Sequence, residues 1–256
     1  MEFRLYPNPT NNVCTPFVYV KEYNAYLRFF NDGSSENLIS IINNTNPLCM
    51  KVNGYDEKVI LGEKIPNREM ILEYLQHYDN INNNFLFFVK NTYVVPTFTL
   101  SKEEAFIKTV IRQIINAKYA KIIFSNFVKK FGYKKHGIYG FPTFEQLRRI
   151  SINNLKKFGL GFKADRIWEG IRLIRKLKNN EFIKISGIGL WSKEILDVEI
   201  HKNYSFYPFW DKSGEKIKKV CGINLIEIAK KRKSFSGDIF LYAASYLESL
   251  KWKLFT

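Results

Sequence analysis

The sequence pattern changes at residue 101, and this change limits the fold more than any other feature. Before it, short stretches rich in β-branched and aromatic residues, such as 17–20, are separated by polar turns such as 31–35, a pattern typical of strands. After it, apolar residues recur at helical spacing. The sequence therefore predicts an α+β chain, with a small antiparallel sheet subdomain at residues 1–100 and an all-α domain at residues 101–256.

Local signals place the helices of the second part. The segment Ser101-Lys102-Glu103-Glu104 has the form of a capping box, with Ser101 as the N-cap and Glu104 at N3. Apolar residues follow at helical spacing, at positions 106, 107, 110, 111, 114 and 115. A helix is also predicted after Pro66, and others at about 118–131, 143–150, 151–158, 163–178, 191–201, 212–220, 224–231 and 236–250.

Charge is distributed unevenly along the chain. The 256 residues carry a formal net charge of +16. Residues 1–100 hold 8 Lys and Arg against 10 Asp and Glu, a net charge of −2, whereas residues 101–256 hold 32 against 14, a net charge of +18. This asymmetry indicates a polyanionic partner for the helical part. Four paired or longer lysine runs are candidate phosphate contacts, although each run alone is typical of a solvated helix face: 129–130, 134–135, 156–157 and 230–233.

Several classes of protein are disfavoured. With 46% hydrophobic residues, the chain is not expected to be disordered. Its three cysteines lack the spacing of a disulfide framework or a metal site, and its three histidines are dispersed. The N-terminus has no signal-peptide pattern, and no apolar run is long enough to cross a bilayer. We expect an intracellular monomer of the cytoplasm or nucleoid, without a metal or a membrane partner.

One motif carries chemistry. Residues 185–189 read Ile-Ser-Gly-Ile-Gly between two predicted helices. Gly187 and Gly189 permit a tight turn and bring backbone N–H groups to the start of the second helix, where a phosphate can be held without a side chain. Such a turn grips a nucleic-acid backbone and does not read its sequence. Taken alone, the pattern fits an ordinary glycine-rich turn equally well.

Other elements occur in a fixed order around this turn. They are Val110-Ile111-Arg112-Gln113-Ile114-Ile115, Tyr139-Gly140-Phe141-Pro142-Thr143, Phe158-Gly159-Leu160-Gly161-Phe162-Lys163-Ala164, and Tyr207-Pro208-Phe209-Trp210-Asp211. Together with the turn, they resemble the helix-hairpin-helix DNA glycosylases, whose corresponding elements are I-L-G-Q-x-V, F-P-T/S, G-L-G-x-[RK]-A and a catalytic Asp. Within that family, the hairpin and its spacing to Asp211 resemble the 3-methyladenine glycosylases most, whereas the 158–164 turn also resembles the 8-oxoguanine glycosylases.

The resemblance implies roles for the residues of the hairpin and of the segment that follows it. Asp211 would stabilise the oxocarbenium-like sugar and position water, although it could instead simply cap the next helix. Trp191 stands where family members that also cleave the backbone carry a Schiff-base lysine, which implies a monofunctional enzyme. Trp191, Tyr207 and Trp210 are candidates for the base pocket. Lys193 should point away from it and contact phosphate or solvent.

Gln113 and Ile114 fall in the family's gap-filling segment. The resemblance implies that Ile114 enters the space left by an extruded base, as a wedge. Periodicity alone places Ile114 in the core, on one stripe with Val110 and Ile111. With Gly187, Gly189 and Lys193, these two residues form the expected DNA-binding set.

The implied function is release of damaged bases, chiefly N3- or N7-alkylated purines, from duplex DNA. Cation–π contact with aromatic rings would select such bases. The alternatives are an 8-oxoguanine glycosylase with lyase activity and a catalytically silent DNA-binding protein. The resemblance implies no cofactor for hydrolysis, and allows a monovalent cation that bridges the hairpin carbonyls to a phosphate.

Overall fold

The computed structural model describes residues 4–6, 18–31, 36–42, 52–53, 57–62, 64, 66–94, 96, 99–204 and 213–251. The strands of this part are β1 (Arg4–Tyr6), β2 (Val18–Val20), β3 (Ala25–Asn31), β4 (Glu36–Ile42), β5 (Val52–Asn53), β6 (Thr92–Val94), β7 (Tyr133–Lys135) and β8 (Ile138–Gly140). Its α-helices are α1 (Glu57–Leu61), α2 (Arg68–Gln76), α3 (Asn83–Asn91), α4 (Lys102–Arg112), α5 (Ala117–Phe131), α6 (Phe144–Arg149), α7 (Ile152–Lys157), α8 (Lys163–Leu173), α9 (Leu190–His201), α10 (Ser213–Cys221), α11 (Leu225–Lys231) and α12 (Lys233–Lys251). The α+β prediction is confirmed, and most helix ends lie within one residue of those predicted. The exceptions are α12, which begins three residues early, α8, which ends at Leu173 instead of 178 because turns follow it, and α4, which ends at Arg112 although the helical spacing continues to 115. Helices α1 and α3 were not predicted.

The sequence predicted an antiparallel sheet within residues 1–100, but the sheet is mixed and includes two strands from beyond that part. Its strand order is β5-β4-β3-β8-β7, with β2 also paired to β3. The β3–β4 pair is antiparallel from Ala25 opposite Ile42 to Asn31 opposite Glu36, whereas β3 and β8 run parallel at Phe29 and Gly140. A second, two-stranded sheet pairs β1 with β6 in parallel.

The β7–β8 hairpin corrects the prediction of an all-α second part. Its two turn residues, His136 and Gly137, have φ angles of 46° and 80°, a backbone form that matches the twist of paired strands. Each strand is three residues long, too short for an alternating pattern to stand out from the helices on either side.

Two large hydrophobic cores hold the helices together, and one of them contains residues from both sides of residue 100. One core joins α4–α8 to the residues on either side of the glycine turn. The other packs the apolar faces of α2, α3 and β6 against α10–α12. Helices α2 and α3 thus share a core with the C-terminal helices, and β7–β8 pairs with the N-terminal sheet; the division at residue 100 stays a prediction.

Helix α4 is fixed at its start by a buried ion pair. The Ser101 hydroxyl accepts from the Glu104 N–H at 3.1 Å, as predicted. The Glu104 carboxylate does not complete a capping box: it accepts from the Leu100 N–H at 3.1 Å and from Arg28 Nη2 on β3 at 2.6 Å. Both charged side chains are fully buried, so the pair ties the sheet to the start of α4.

Candidate functional site

The glycine hairpin forms as predicted, with one difference in the helix before it. That helix is a 3-10 helix (Asn179–Lys184), and α9 follows the turn with Gly189 as its N-cap. The Ile188 N–H donates to the Ile185 carbonyl at 3.0 Å and closes the turn. The two isoleucines are buried, whereas Gly187 and Gly189 are exposed. The turn is therefore anchored by its apolar residues and presents its glycines to solvent.

The two glycines serve different purposes. Gly187 has a φ angle of 77°, and a Cβ there would collide with the guanidinium of Arg166. Gly189 has an extended φ of −90° that any residue can adopt, and no atom lies within 4 Å of its ideal Cβ position. Gly187 is therefore required by the fold, whereas Gly189 leaves open space in which a ligand backbone could approach the start of α9.

Ile114 is not a core residue. Its side chain is 86% exposed, and its φ angle is 62°. Left-handed backbone is unfavourable for a β-branched residue and marks strain that the surrounding structure must hold in place. Its exposure overturns the core reading based on periodicity and is the property that a wedge requires.

Gln113 is the C-cap of α4 and is buried at 7% exposure. Its Nε2 donates to the Gly187 carbonyl and to Ser192 Oγ, each at 2.8 Å. Its Oε1 accepts from Arg166 Nη1 at 2.7 Å. The side chain that we predicted as a DNA contact therefore binds the hairpin, and a role in contacting DNA stays a prediction.

Lys163 and Arg166, which sequence reasoning did not assign, hold the same end of α4. Lys163 is buried and donates from Nζ to the Ile111 carbonyl at 2.7 Å, which satisfies a terminal carbonyl of α4. Burial lowers the pKa of Lys163, and the nearby Arg166 lowers it further. Arg166 also lies 4.8 Å from the ring centroid of Phe162, which is 54% exposed. The sequence signal for Lys163 was the 158–164 element, but spacing alone does not show what this lysine contacts; Arg166 lies just after that element.

Trp191 is half-buried in the first turn of α9. The guanidinium carbon of Arg112 lies 5.8 Å from its ring centroid. Arg112 occupies the position of the glycine in the I-L-G-Q element, so the chain departs from the pattern that it resembles by having a cation there.

Lys193 is partly buried, and its Nζ lies 2.7 Å from Asp197 Oδ2. Its predicted phosphate contact stays a prediction.

Asp211, Tyr207 and Trp210 lie outside the described residues. Before them, the chain is described as far as Tyr204, whose ring stacks on Phe240 with centroids 6.4 Å apart. After them, it is described again from the start of α10. The roles predicted for these three residues therefore stay predictions.

A second buried ion pair fixes α9 against α4. Lys108 Nζ lies 2.6 Å from Glu199 Oε1, and Glu199 Oε2 accepts from the Thr99 N–H at 3.1 Å. Lys202, just past the end of α9, donates to the Thr99 carbonyl. Burial opposes ionisation of Glu199, but Lys108, Lys202 and Arg112 outweigh it and hold its pKa below the ordinary value.

Lys202 is expected to make stability depend on pH. Burial lowers its pKa from 10.5 to about 8, against the attraction of Glu199 and Glu104. Between these two values the unfolded chain keeps a proton that the folded protein releases, so the free energy of unfolding should rise with pH. Urea unfolding from about pH 7.5 to 10 should show wild type gaining stability relative to Lys202→Met. A difference that does not change with pH would contradict this assignment.

Lysines of the predicted runs are exposed where the structure describes their side chains. Lys129 and Lys130 lie in the last turn of α5, and Lys134 and Lys135 follow on β7. Lys156 forms an ion pair with Asp165, with Nζ 3.1 Å from Oδ1.

No group of three or more His, Cys, Asp or Glu within the described residues could hold a metal ion. Within the same residues, no helix is long and apolar enough to span a membrane.

The backbone carbonyls of the hairpin are the candidate ligands of the monovalent cation that the resemblance allows. The Ile185 and Gly187 carbonyls already accept hydrogen bonds from Ile188 and Gln113, respectively. Each oxygen keeps a second lone pair, so these residues could supply carbonyl ligands to a monovalent cation. The cation stays a prediction.

Solved structures resemble the chain over nearly its whole length. A 3-methyladenine DNA glycosylase from Archaeoglobus fulgidus has a TM-score of 0.69 and 18% identity, over 96% of this chain and 93% of that one. MBOgg1 in complex with a low-affinity DNA ligand has a TM-score of 0.68 and 14% identity, over 98% and 93%. An 8-oxoguanine glycosylase/lyase from Clostridium acetobutylicum, in complex with DNA containing cytosine opposite 8-oxoguanine, has a TM-score of 0.65 and 15% identity, over 94% and 90%. No protein-family model and no curated protein matches the chain.

At these identities the likeness shows a shared fold. The chain has the fold of the helix-hairpin-helix DNA glycosylases, as the order of its motifs predicted. The similar structures include both a 3-methyladenine and an 8-oxoguanine enzyme, so the fold does not distinguish between these two branches.

Proposed function

We propose that the protein is a monofunctional DNA glycosylase, which binds duplex DNA, extrudes a damaged base and hydrolyses its N-glycosidic bond. The observation that carries this proposal is Ile114, a strained and exposed apolar residue held beside the glycine hairpin. An exposed apolar side chain at a fixed backbone angle is suited to enter a base step. Two observations support duplex DNA as the partner. Two of the similar structures contain DNA, and residues 101–256 carry a net charge of +18.

The chemistry is assigned to Asp211. Breaking the N-glycosidic bond leaves positive charge on the sugar, which a nearby carboxylate stabilises while it aligns water for attack. Trp191 has no amine, so no imine forms at its position and the sugar–phosphate backbone stays intact. The resulting products are a free base and an abasic site.

The first candidate substrates are N3- and N7-alkylated purines. These bases are cationic and stack favourably on electron-rich rings. Trp191, which is half-buried beside the hairpin, and the predicted pocket residues Tyr207 and Trp210 would supply such rings. Arg112 favours a second candidate, because its guanidinium beside Trp191 repels another cation. That candidate is a neutral damaged base such as 8-oxoguanine.

Free-base release distinguishes these substrates. Chromatography would quantify the bases released from duplexes that carry methylated purines or 8-oxoguanine, with wild type and Arg112→Gly. The first candidate predicts that wild type releases methylated purines and that Arg112→Gly releases them faster. Release of 8-oxoguanine by wild type, with preference moving to methylated purines in Arg112→Gly, would establish the second. Release from neither duplex would count against both.

Replacing Ile114 with glycine should separate stability from activity. Glycine relieves the left-handed strain, so the free energy of unfolding should rise by up to about 1 kcal/mol. Base release should fall by roughly tenfold or more, because unstacking costs a few kcal/mol and the wedge no longer offsets it. Thermal unfolding and single-turnover release measure the two effects.

The matched control for that variant is His136→Gly. His136 is also exposed with a positive φ angle, of 46°, but it lies in the β7–β8 turn. This variant should be stabilised in the same way and keep wild-type activity. Full activity in Ile114→Gly would rule out the wedge.

A further inference from the structure

Gln113 lies between the two elements that the proposed function uses, the Ile114 turn and the glycine hairpin. Its backbone ends α4 with a ψ angle of 130° and immediately precedes Ile114. Its side chain reaches the hairpin, 74 residues away in sequence at Gly187 and 79 at Ser192. One residue thus joins the proposed wedge to the proposed phosphate-binding turn.

The orientation of the Gln113 amide is fixed by its partners. A guanidinium can only donate, so Arg166 Nη1, at 2.7 Å, must face Oε1. Nε2 is then directed at two acceptors, the Gly187 carbonyl and Ser192 Oγ, each at 2.8 Å. No other side chain of this length supplies both functions well, because a carboxylate cannot donate and a thioether cannot donate and accepts only weakly.

The hairpin also depends on contacts from outside itself. Its turn residues include two glycines, whose backbones are free to adopt many conformations. Gln113 contacts the turn at Gly187 and the first turn of α9 at Ser192, which is 3% exposed. Arg166 occupies the space where a Gly187 side chain would stand. The position of the turn relative to Ile114 is therefore set by these side chains.

We propose that Gln113 is a positioning residue, whose carboxamide couples the Ile114 wedge to the glycine hairpin so that backbone grip and base extrusion occur at a fixed separation. Arg166 acts through Gln113 by holding its amide in the donating orientation. This inference rests on the proposed function. It replaces the predicted DNA contact of Gln113 with a contact inside the protein.

Gln113→Met tests the coupling, because methionine has a similar length, cannot donate either of the two hydrogen bonds from Nε2 and accepts only weakly from Arg166. The readouts are affinity for undamaged duplex, fluorescence of 2-aminopurine beside the lesion as a measure of extrusion, and single-turnover base release. Duplex affinity should stay near the wild-type value, since the hairpin N–H groups remain. Extrusion and release should fall roughly tenfold to a hundredfold, as expected for a misplaced group. Gln76→Met, an exposed change at the end of α2, is the matched control.

Arg166→Met and the double variant Gln113→Met/Arg166→Met complete a mutant cycle. If Arg166 acts through Gln113, the double variant should be no slower than Gln113→Met alone. Additive losses would show that Arg166 acts independently of Gln113, and would overturn its assigned role. Ser192→Ala removes one acceptor and keeps the Gly187 bond, so it provides a milder test should Gln113→Met fail to fold; a modest loss of extrusion is expected.

If the wild-type protein is active, either of two results would overturn the proposed role of Gln113. Unchanged extrusion in Gln113→Met would mean that the hydrogen bonds do not position the wedge. A loss of duplex affinity as large as the loss of release would mean that Gln113 contacts DNA directly. Failure of wild type itself to extrude or release any of the bases offered would instead refute the proposed function, and this inference with it.

Discussion

Asp211→Asn should abolish base release while the protein still binds duplex DNA. Asparagine has nearly the same shape but cannot carry the negative charge that stabilises the sugar cation or accept a proton from water. Loss of one such electrostatic or acid–base contribution lowers rates by roughly 10²- to 10⁴-fold. Single-turnover release would measure this fall, and a binding titration with an undamaged duplex should show affinity equal to or tighter than that of wild type, since the variant has one negative charge fewer to oppose a polyanion.

Asp79→Asn is the control for that variant, because Asp79 is exposed in the turn after α2. It should keep both activities. Release by Asp211→Asn at the wild-type rate would leave Asp211 with only a helix-capping role. Loss of duplex binding together with release would indicate a misfolded segment, and thermal unfolding of the same sample would reveal this.

Arg28→Met should be the most destabilising of the changes considered, since it leaves the Glu104 carboxylate buried without its cation. The two side chains form a 2.6 Å ion pair at 0% exposure. Breaking such a pair costs about 3–5 kcal/mol, which for a chain of this size lowers the Tm on the order of 10 °C. Chemical unfolding measures the free energy, and thermal unfolding measures the Tm.

Two further variants separate burial from charge. Arg28→Met combined with Glu104→Gln removes the uncompensated charge and keeps an oxygen for the Leu100 N–H, so it should recover part of the loss. Arg148→Met removes an exposed pair with Glu145, at 3.9 Å, and should cost less than about 1 kcal/mol. Equal losses for Arg28→Met and Arg148→Met would contradict the account.

The sequence predicted the glycine hairpin, but it left two readings of Ile114, an exposed wedge and a core residue. The glycine turn is local, so its residues carry the information for its backbone. Periodicity placed Ile114 on the core stripe of Val110 and Ile111 because nothing nearby marks the end of α4. The helix ends at Arg112 through contacts that Gln113 and Ile111 make with residues 52 to 79 positions away. Side chains so distant in sequence leave no local pattern.

The same limit applies to charged residues. Ser101 and Glu104 have the spacing of a capping box, and the Ser101 half forms. Glu104 instead binds Arg28, 76 residues away on β3, since a buried arginine requires a carboxylate more than a helix start requires a second cap. Arg112 belongs to the 110–115 motif, but its contact with Trp191 joins two elements that only the fold brings together.

The most direct test of the central claim is strand analysis of a duplex with one damaged base after incubation with the protein. One sample is treated with alkali, one is left untreated, and one contains borohydride. A monofunctional glycosylase predicts strand cleavage only after alkali and no protein trapped on DNA. Cleavage without alkali together with a trapped adduct would show a lyase with an amine nucleophile, and would contradict the assignment of Trp191 and Asp211.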